Sequence, residues 1–219
     1  MKYLSTLLLI TCFFLGQLGI SKKDDYLSGY VVLSQGDTLK GYVKPLKYSY
    51  QKEIYFKDSQ QKEQKYSADM LRAFMCGAEK YVAVNKSELG YDKYIAQEVI
   101  FLQEVIEGPV SLYLYAFCYQ ADSYGRKWSD RKSYKKECKE YYYFKKKEGA
   151  YFAAYQKNKY ALAVLKDKQA ADNFQLAGYF DECEDLSKKI LYKAYKQSQV
   201  ELMATDYNTW YSKEKRWFL

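Results

Sequence analysis

The chain has 219 residues, 35 Lys and Arg against 27 Asp and Glu, a formal charge of +8, 27 Tyr and no His. Hydrophobic residues make up 48% and aromatics 19%, with only 11 Gly and 2 Pro, so the composition excludes a disordered, collagen-like or linker-dominated chain. Without histidine, serine and cysteine nucleophiles lose their usual base and zinc loses its commonest ligand, which narrows the enzyme classes available.

Residues 1–21 read as a secretory signal peptide. Lys2 is followed by an apolar run from Leu4 to Leu18, then by small residues at Gly19 and Ser21 and the charged stretch Lys22, Lys23, Asp24, Asp25. An uncleaved anchor is the alternative, since the run approaches the ~20 residues of a bilayer span, but Thr6, Thr11, Gly16 and Gln17 interrupt it. A lipid-modified Cys12 is a poorer reading, because Thr11 precedes it and the apolar run continues through Phe13, Phe14 and Leu15. Cleavage removes one lysine and no acid, leaving residues 22–219 at +7. A chain of that length buries about 70% of its unfolded surface and forms one domain without needing a disulfide. No later apolar run reaches span length, so a soluble or peripherally attached protein is expected, exported to the periplasm, the cell surface or beyond.

The mature chain opens on a β-hairpin over 29–43, where Gly29 to Ser34 and Leu39 to Val43 flank Gln35-Gly36-Asp37-Thr38, and Pro45 ends its second strand. Glu53 to Lys57 and Lys80 to Val84 are further strands, with polar connections such as 58–65 between them. The stretch 95–107 suits an amphipathic helix through Val99, Leu102, Val105 and Ile106, yet its β-branched content also allows a strand; Gly108-Pro109 ends it either way. Val110 to Phe117, Tyr141 to Phe144 and Tyr151 to Tyr155 complete the strands, the last two joined through Glu148-Gly149.

Beyond Lys157 the period changes to that of helices. Leu162, Leu165, Phe174, Leu186, Ile190, Leu202 and Met203 are the expected packing residues, and Asp181 with Glu184 and Ser198 with Glu201 approximate capping boxes. The expected class is therefore α+β: an antiparallel β-rich part, residues 26–156, followed by a packed helical part, residues 157–219.

Four cysteines remain after cleavage: Cys76, Cys118, Cys138 and Cys183. Export permits disulfides, and Cys118 with Cys138, flanking one polar stretch, is the expected pair; four buried thiols are the alternative. No C-x-x-C spacing marks a redox or zinc site, and no metal or cofactor is expected.

The chain resembles a broad group of secreted proteins of Bacteroidota. The resemblance is carried by Gly29-Tyr30-Val31-Val32-Leu33 with Gly36-Asp37-Thr38-Leu39-Lys40-Gly41, by Phe101-Leu102 through Gly108 to Tyr113, and by Tyr179 to Cys183 leading to Tyr207-Asn208. It implies export from a Gram-negative cell and a strands-then-helices order, and it carries no activity and no catalytic residues.

No nucleotide-binding, nucleophile-elbow or calcium-loop motif is present. S-x-x-K, the pattern of a Ser-Lys dyad, occurs at Ser49, Ser59, Ser129, Ser133 and Ser212, as chance in a lysine-rich chain allows. A pair of carboxylates ~5–10 Å apart would suffice for a glycosidase. The visible clusters are Asp24-Asp25 and Asp181, Glu182, Glu184, Asp185, the second better explained by the positive end of a helix dipole. The tyrosines suit strands, and they also suit stacking on sugars and anchoring at interfaces. The stripe of Tyr192, Tyr195, Tyr207 and Tyr211 reads as helix packing.

Two functions follow as expectations: a non-enzymatic envelope protein that binds another envelope component, or a His-free glycan hydrolase working through Asp and Glu. Nucleic acid is a poor partner for an exported chain. The basic segment 126–147 offers a contact with anionic lipid or glycan through Lys135, Lys136, Lys145, Lys146 and Lys147, with Trp128, Tyr134 and Tyr141 as interfacial anchors. A lysine-rich loop that only protects a sheet edge is the alternative.

Overall fold

The computed structural model describes residues 26–46, 51–89, 98–122, 134–158, 172–196 and 198–215, with only the backbone of 118–122, 134–137, 157–158 and 215. The expected signal peptide over 1–21, Leu162, Leu165 and Trp128 lie outside them. Over the described residues the chain is α+β: an antiparallel sheet followed by three helices near the C-terminus. The strands are β1 (Leu27–Leu33), β2 (Thr38–Val43), β3 (Glu53–Lys57), β4 (Glu63–Ser67), β5 (Leu71–Cys76), β6 (Glu79–Asn85), β7 (Val99–Ile106), β8 (Val110–Asp122), β9 (Tyr134–Lys146) and β10 (Phe152–Asn158). They form one sheet in the order β10-β9-β8-β7-β6-β5-β1-β2-β3-β4.

The first seven strands coil around one core. Val31, Val43, Ile54, Phe56, Tyr66, Phe74 and Tyr81 alternate with polar or half-exposed neighbours, so their strands turn one side chain in two to the same interior, which Phe101 joins from β7, a strand buried on both faces at Ile100, Phe101 and Leu102. Flat, β4 and β7 would lie about 29 Å apart across six strand spacings. Yet the 3₁₀ turn Ala68–Met70, which follows β4, touches β7. Two glycines facing each other across β1 and β2 permit that curvature. A Cβ on Gly29 would stand 1.9 Å from the Met75 carbonyl oxygen, and one on Gly41 2.2 Å from that of Lys57. Both belong to the hairpin expected from sequence, and only a residue without a side chain lets the neighbouring backbones approach so closely.

The helices α1 (Asn173–Tyr179), α2 (Glu184–Leu191) and α3 (Val200–Lys215) pack on the same nominal face at β8–β10. Val110, Leu112, Phe144 and Ala154 meet Leu176, Phe180, Leu186, Ile190, Met203, Ala204 and Tyr207, all essentially buried. In α3 the spacing Val200, Met203, Ala204, Tyr207 is the i, i+3, i+4, i+7 stripe of a helix with one buried side. Phe180, between α1 and α2, is the hinge of this layer, edge-on to Phe144 at 5.1 Å and tilted against Tyr207 at 5.4 Å.

Several sequence expectations are corrected. The connection 58–65 contains the start of β4, and β5 was not anticipated. The ambiguous 95–107 is strand β7 over its described part. Apart from Lys147 in the β9–β10 turn, the basic stretch is strand where it is described, since 134–146 forms β9 and pairs with β8 from Val110↔Lys146 to Asp122↔Tyr134. The capping box sits at Asp172 and Gln175, whose side chains and backbone N–H groups satisfy each other before α1. Cys183 precedes α2 without a side-chain cap, and the acids Glu184 and Asp185 instead favour its first turn, with Glu184 ion-paired to Lys188 at 2.6 Å. Phe174 is 77% and Leu202 50% exposed, so neither packs as expected, whereas Leu186, Ile190 and Met203 do.

Candidate functional site

The polar side chains nearest the aromatic clusters are tied to one another. Between the end of β9, the α1–α2 turn and α3, Lys146 Nζ pairs with Glu182 at 2.6 Å and lies 4.9 Å over the Tyr179 ring. The Tyr207 hydroxyl donates to the same carboxylate at 2.5 Å, and the Lys146 backbone N–H donates to the Tyr179 hydroxyl at 3.0 Å. Burial pushes the Tyr179 hydroxyl up to about 12, and burial followed by the Glu182 carboxylate pushes Tyr207 higher still. Both stay neutral donors or acceptors at any physiological pH.

A second cluster stands on the opposite face. Lys80 on β6 bridges Glu104 (2.7 Å) and Glu107 (3.2 Å), and the Tyr113 hydroxyl donates to Glu104 at 3.1 Å. Its hydrogen bond to Glu104 raises the Lys80 ammonium well above the lysine range. Beside the cluster, Tyr113, Tyr115, Tyr141 and Tyr143 are core residues, each 8% exposed or less. Glu104 on β7 and Glu107 just past its end share one lysine, and of the acids around the start of α2, Glu182 belongs to the Lys146 network and Glu184 and Asp185 to the helix end. Among the described residues, no group of three or more His, Cys, Asp or Glu could hold a metal ion. Ser212, one of the S-x-x-K serines, donates its hydroxyl to the Asn208 carbonyl at 2.8 Å.

An open groove of about 480 Å³ runs between α3 and the β7–β8 turn, lined by Ile106, Glu107, Thr205, Asn208, Thr209, Ser212 and Lys213. Asn208 is a clamp there. Its Oδ1 accepts from the Val110 N–H and its Nδ2 donates to the Val110 carbonyl, both at 2.9 Å, so the amide mimics a strand neighbour.

Of the expected basic contact site, the described side chains do not gather into one patch. Lys146 is held by Glu182, Lys145 lies 4.1 Å over the Tyr151 ring, Lys147 is exposed on the β9–β10 turn, and Tyr141 is 5% exposed, a core ring and not a surface anchor. Alternation along β9 divides its positions between the two sheet faces. Trp128 and the side chains of Tyr134, Lys135 and Lys136 lie outside the described residues. Cys118 and Cys138 are directly opposed in the β8–β9 register, and Cys138 is disulfide-bonded, while Cys76 and Cys183 are buried thiols. Burial raises the Cys76 thiol to about 11.

The outer face of β1–β4, turned away from the coiled core, is where tyrosine and lysine stand open. Tyr42 is 42% exposed, Tyr30 and Tyr55 are partly exposed, and Lys40 and Lys65 are exposed. Lys44 lies 5.8 Å and Lys65 5.9 Å from the centre of the Tyr55 ring, and Lys57 lies 4.3 Å from that of Tyr26. Sequence reasoning missed this surface because its residues are spread over four strands, and only register brings them together.

No protein-family model matches the chain, and no curated protein or solved structure matches it either. No helix among the described residues is long and apolar enough to cross a membrane.

Proposed function

We propose that the protein is an exported, non-enzymatic component of the cell envelope that binds another envelope component. One observation carries the reading: the acids beside its aromatic clusters are spent on fixed pairs with Lys and Tyr, while an open face of the sheet presents tyrosine and lysine outward. A glycosidase needs two carboxyl groups flanking the scissile bond, one of them protonated as the general acid, and a paired lysine favours the ionised form of a carboxyl group instead. Glu104 shares Lys80 with Glu107, and Glu182 is held by Lys146, which suits a scaffold. The leader over 1–21 supplies the export half of the reading.

Two measurements test it. Mature protein purified from the producing cell should begin near Lys22 and should be retained by isolated envelope material at low salt. Incubation with envelope glycan should release no new reducing ends. A retained Met1 or a lipid-modified Cys12 contradicts the export step, and glycan cleavage by the purified chain contradicts the non-enzymatic one.

A further inference from the structure

The strand register places the open tyrosines and lysines of β1–β4 in two parallel lines. Tyr30 is opposite Lys40, Tyr42 opposite Lys57, and Tyr55 opposite Lys65. Moving one strand across and two residues along, always in the same sense, leads from Tyr30 to Tyr42 to Tyr55. The same step leads from Lys40 to Lys57 to Lys65. Each step is about 8 Å, from a strand spacing of ~4.8 Å and a two-residue rise of ~6.8 Å. The outer face thus carries a diagonal of three aromatic rings with a diagonal of three ammonium groups beside it. Lys44 follows Tyr42 by two residues and adds a fourth cation on the far side of the tyrosine line.

We infer that this face is a binding track for a linear acidic polysaccharide, with sugar rings lying on Tyr30, Tyr42 and Tyr55 and carboxylates along Lys40, Lys57 and Lys65. This deepens the envelope-binding reading and rests on it. Charge decides the sign of the ligand: four lysines stand on this face against Glu53 and Glu63. Shape decides its form, because a line one ring wide fits a single chain, whereas a bilayer is met by a broad patch with an apolar wedge. The envelope reading selects polysaccharide over a nucleic-acid strand, which the same rings and charges would otherwise suit.

The side chains on the track already have partners, and these are weak ones. Lys65 pairs with Glu53 across the strands, at 49% and 42% side-chain exposure. An exposed pair of that kind contributes little net stability, so exchanging Glu53 for a ligand carboxylate costs little. Glu53 is therefore a competitor, and its removal should help the ligand. Lys57 over Tyr26, whose hydroxyl bonds Glu63, holds the middle of the lysine line in place.

The experiment uses the mature chain and four probes: polygalacturonate, neutral dextran, vesicles of phosphatidylglycerol in phosphatidylcholine, and an oligothymidylate. Polygalacturonate should bind at low salt and release as the screening length falls from ~10 Å to ~3 Å, with dextran far weaker. The triple variant Lys40→Gln, Lys57→Gln, Lys65→Gln should weaken it about tenfold or more. Tyr42→Thr with Tyr55→Thr should also weaken it about tenfold, while the Phe versions of both, which keep the ring and guard against misfolding, should stay within about threefold. Glu53→Gln should tighten it severalfold. Unchanged binding in the lysine and tyrosine variants, no binding of polygalacturonate, or tighter binding of vesicles or oligothymidylate overturns the assignment. Export is read separately, from the loss of residues 1–21 and from fractionation of the producing cells into cytoplasm, periplasm, envelope and medium. An exported chain that ignores polygalacturonate overturns the track alone; a chain retained inside the cell overturns the envelope reading and, with it, the choice of polysaccharide.

Discussion

Replacing Asn208 by Ala tests how the helical layer is fixed to the sheet. Val110 is fully buried, and the Asn208 amide supplies partners to both its N–H and its carbonyl at 2.9 Å. Leaving a buried backbone group unpaired costs about 1–3 kcal/mol, so losing two should cost about 2–4 kcal/mol after partial relaxation. Gly108→Ala reaches the same end from the other side. A Cβ at Gly108 would lie 2.4 Å from Asn208 Nδ2 and 2.8 Å from its Cγ, and the double hydrogen bond leaves the short amide no room to yield. Gly108 has no positive φ, so alanine brings no backbone strain of its own there. The two substitutions should therefore be strongly non-additive. Gly108→Ala should cost about 2 kcal/mol or more in the natural chain and within about 0.5 kcal/mol when residue 208 is already Ala. Urea unfolding followed by tryptophan fluorescence reads this as a midpoint shift of about 1 M in the first case and almost none in the second. Equal shifts in both backgrounds would refute the clamp.

Other outcomes follow from the same packing. Tyr113, Tyr142 and Tyr195 are pushed up to about 12, first by burial and then by Glu104, Glu140 and Asp206 respectively, and Tyr179 reaches about 12 through burial despite the Lys146 N–H. Their contribution is complete below the unfolded value of about 10 and is lost as pH rises toward 12, so urea midpoints should hold to about pH 10 and then fall. A midpoint that is flat to about pH 12 contradicts this. Peptide mapping without reduction should recover Cys118 linked to Cys138, and reduction should cost about 3 kcal/mol by freeing the intervening loop in the unfolded chain; free thiols at both positions would defeat the pairing. Phe180→Ala should cost about 3–5 kcal/mol and Phe174→Ser within about 0.5 kcal/mol, and thermal melts that reverse that order would show the helical layer to be misassigned.

The hairpin at 29–43 and the strands at 53–57 and 80–84 were legible because period-two alternation and turn residues coincide there. β4 (EQKYS) was not, since only Tyr66 of its five residues is buried. Only Tyr141 to Phe144 of β9 were read as strand and the residues before them as a polar break, because Lys and Glu fill that half, yet thirteen residues of β8 pair with β9 and Lys139 is 8% exposed. Lysine stems cover apolar surface, so charge alone does not mark a loop. Phe174 misled in the opposite direction: a helix of seven residues buries Leu176 and Ala177, and its phenylalanine falls on the outer side. The track could not be seen along the chain at all. Tyr30, Tyr42 and Tyr55 are a dozen or so residues apart, and only the pairing of β1 with β2 and of β2 with β3 aligns them.

Lysine acetylation in the presence and absence of polygalacturonate, read by mass spectrometry on the mature chain, tests the binding surface most directly. Lys40, Lys57 and Lys65 should be protected by the polymer and released again at high salt, while Lys145 and Lys147 keep their rates. Protection confined to Lys145 and Lys147, or spread evenly over all lysines, would contradict a track on β1–β4.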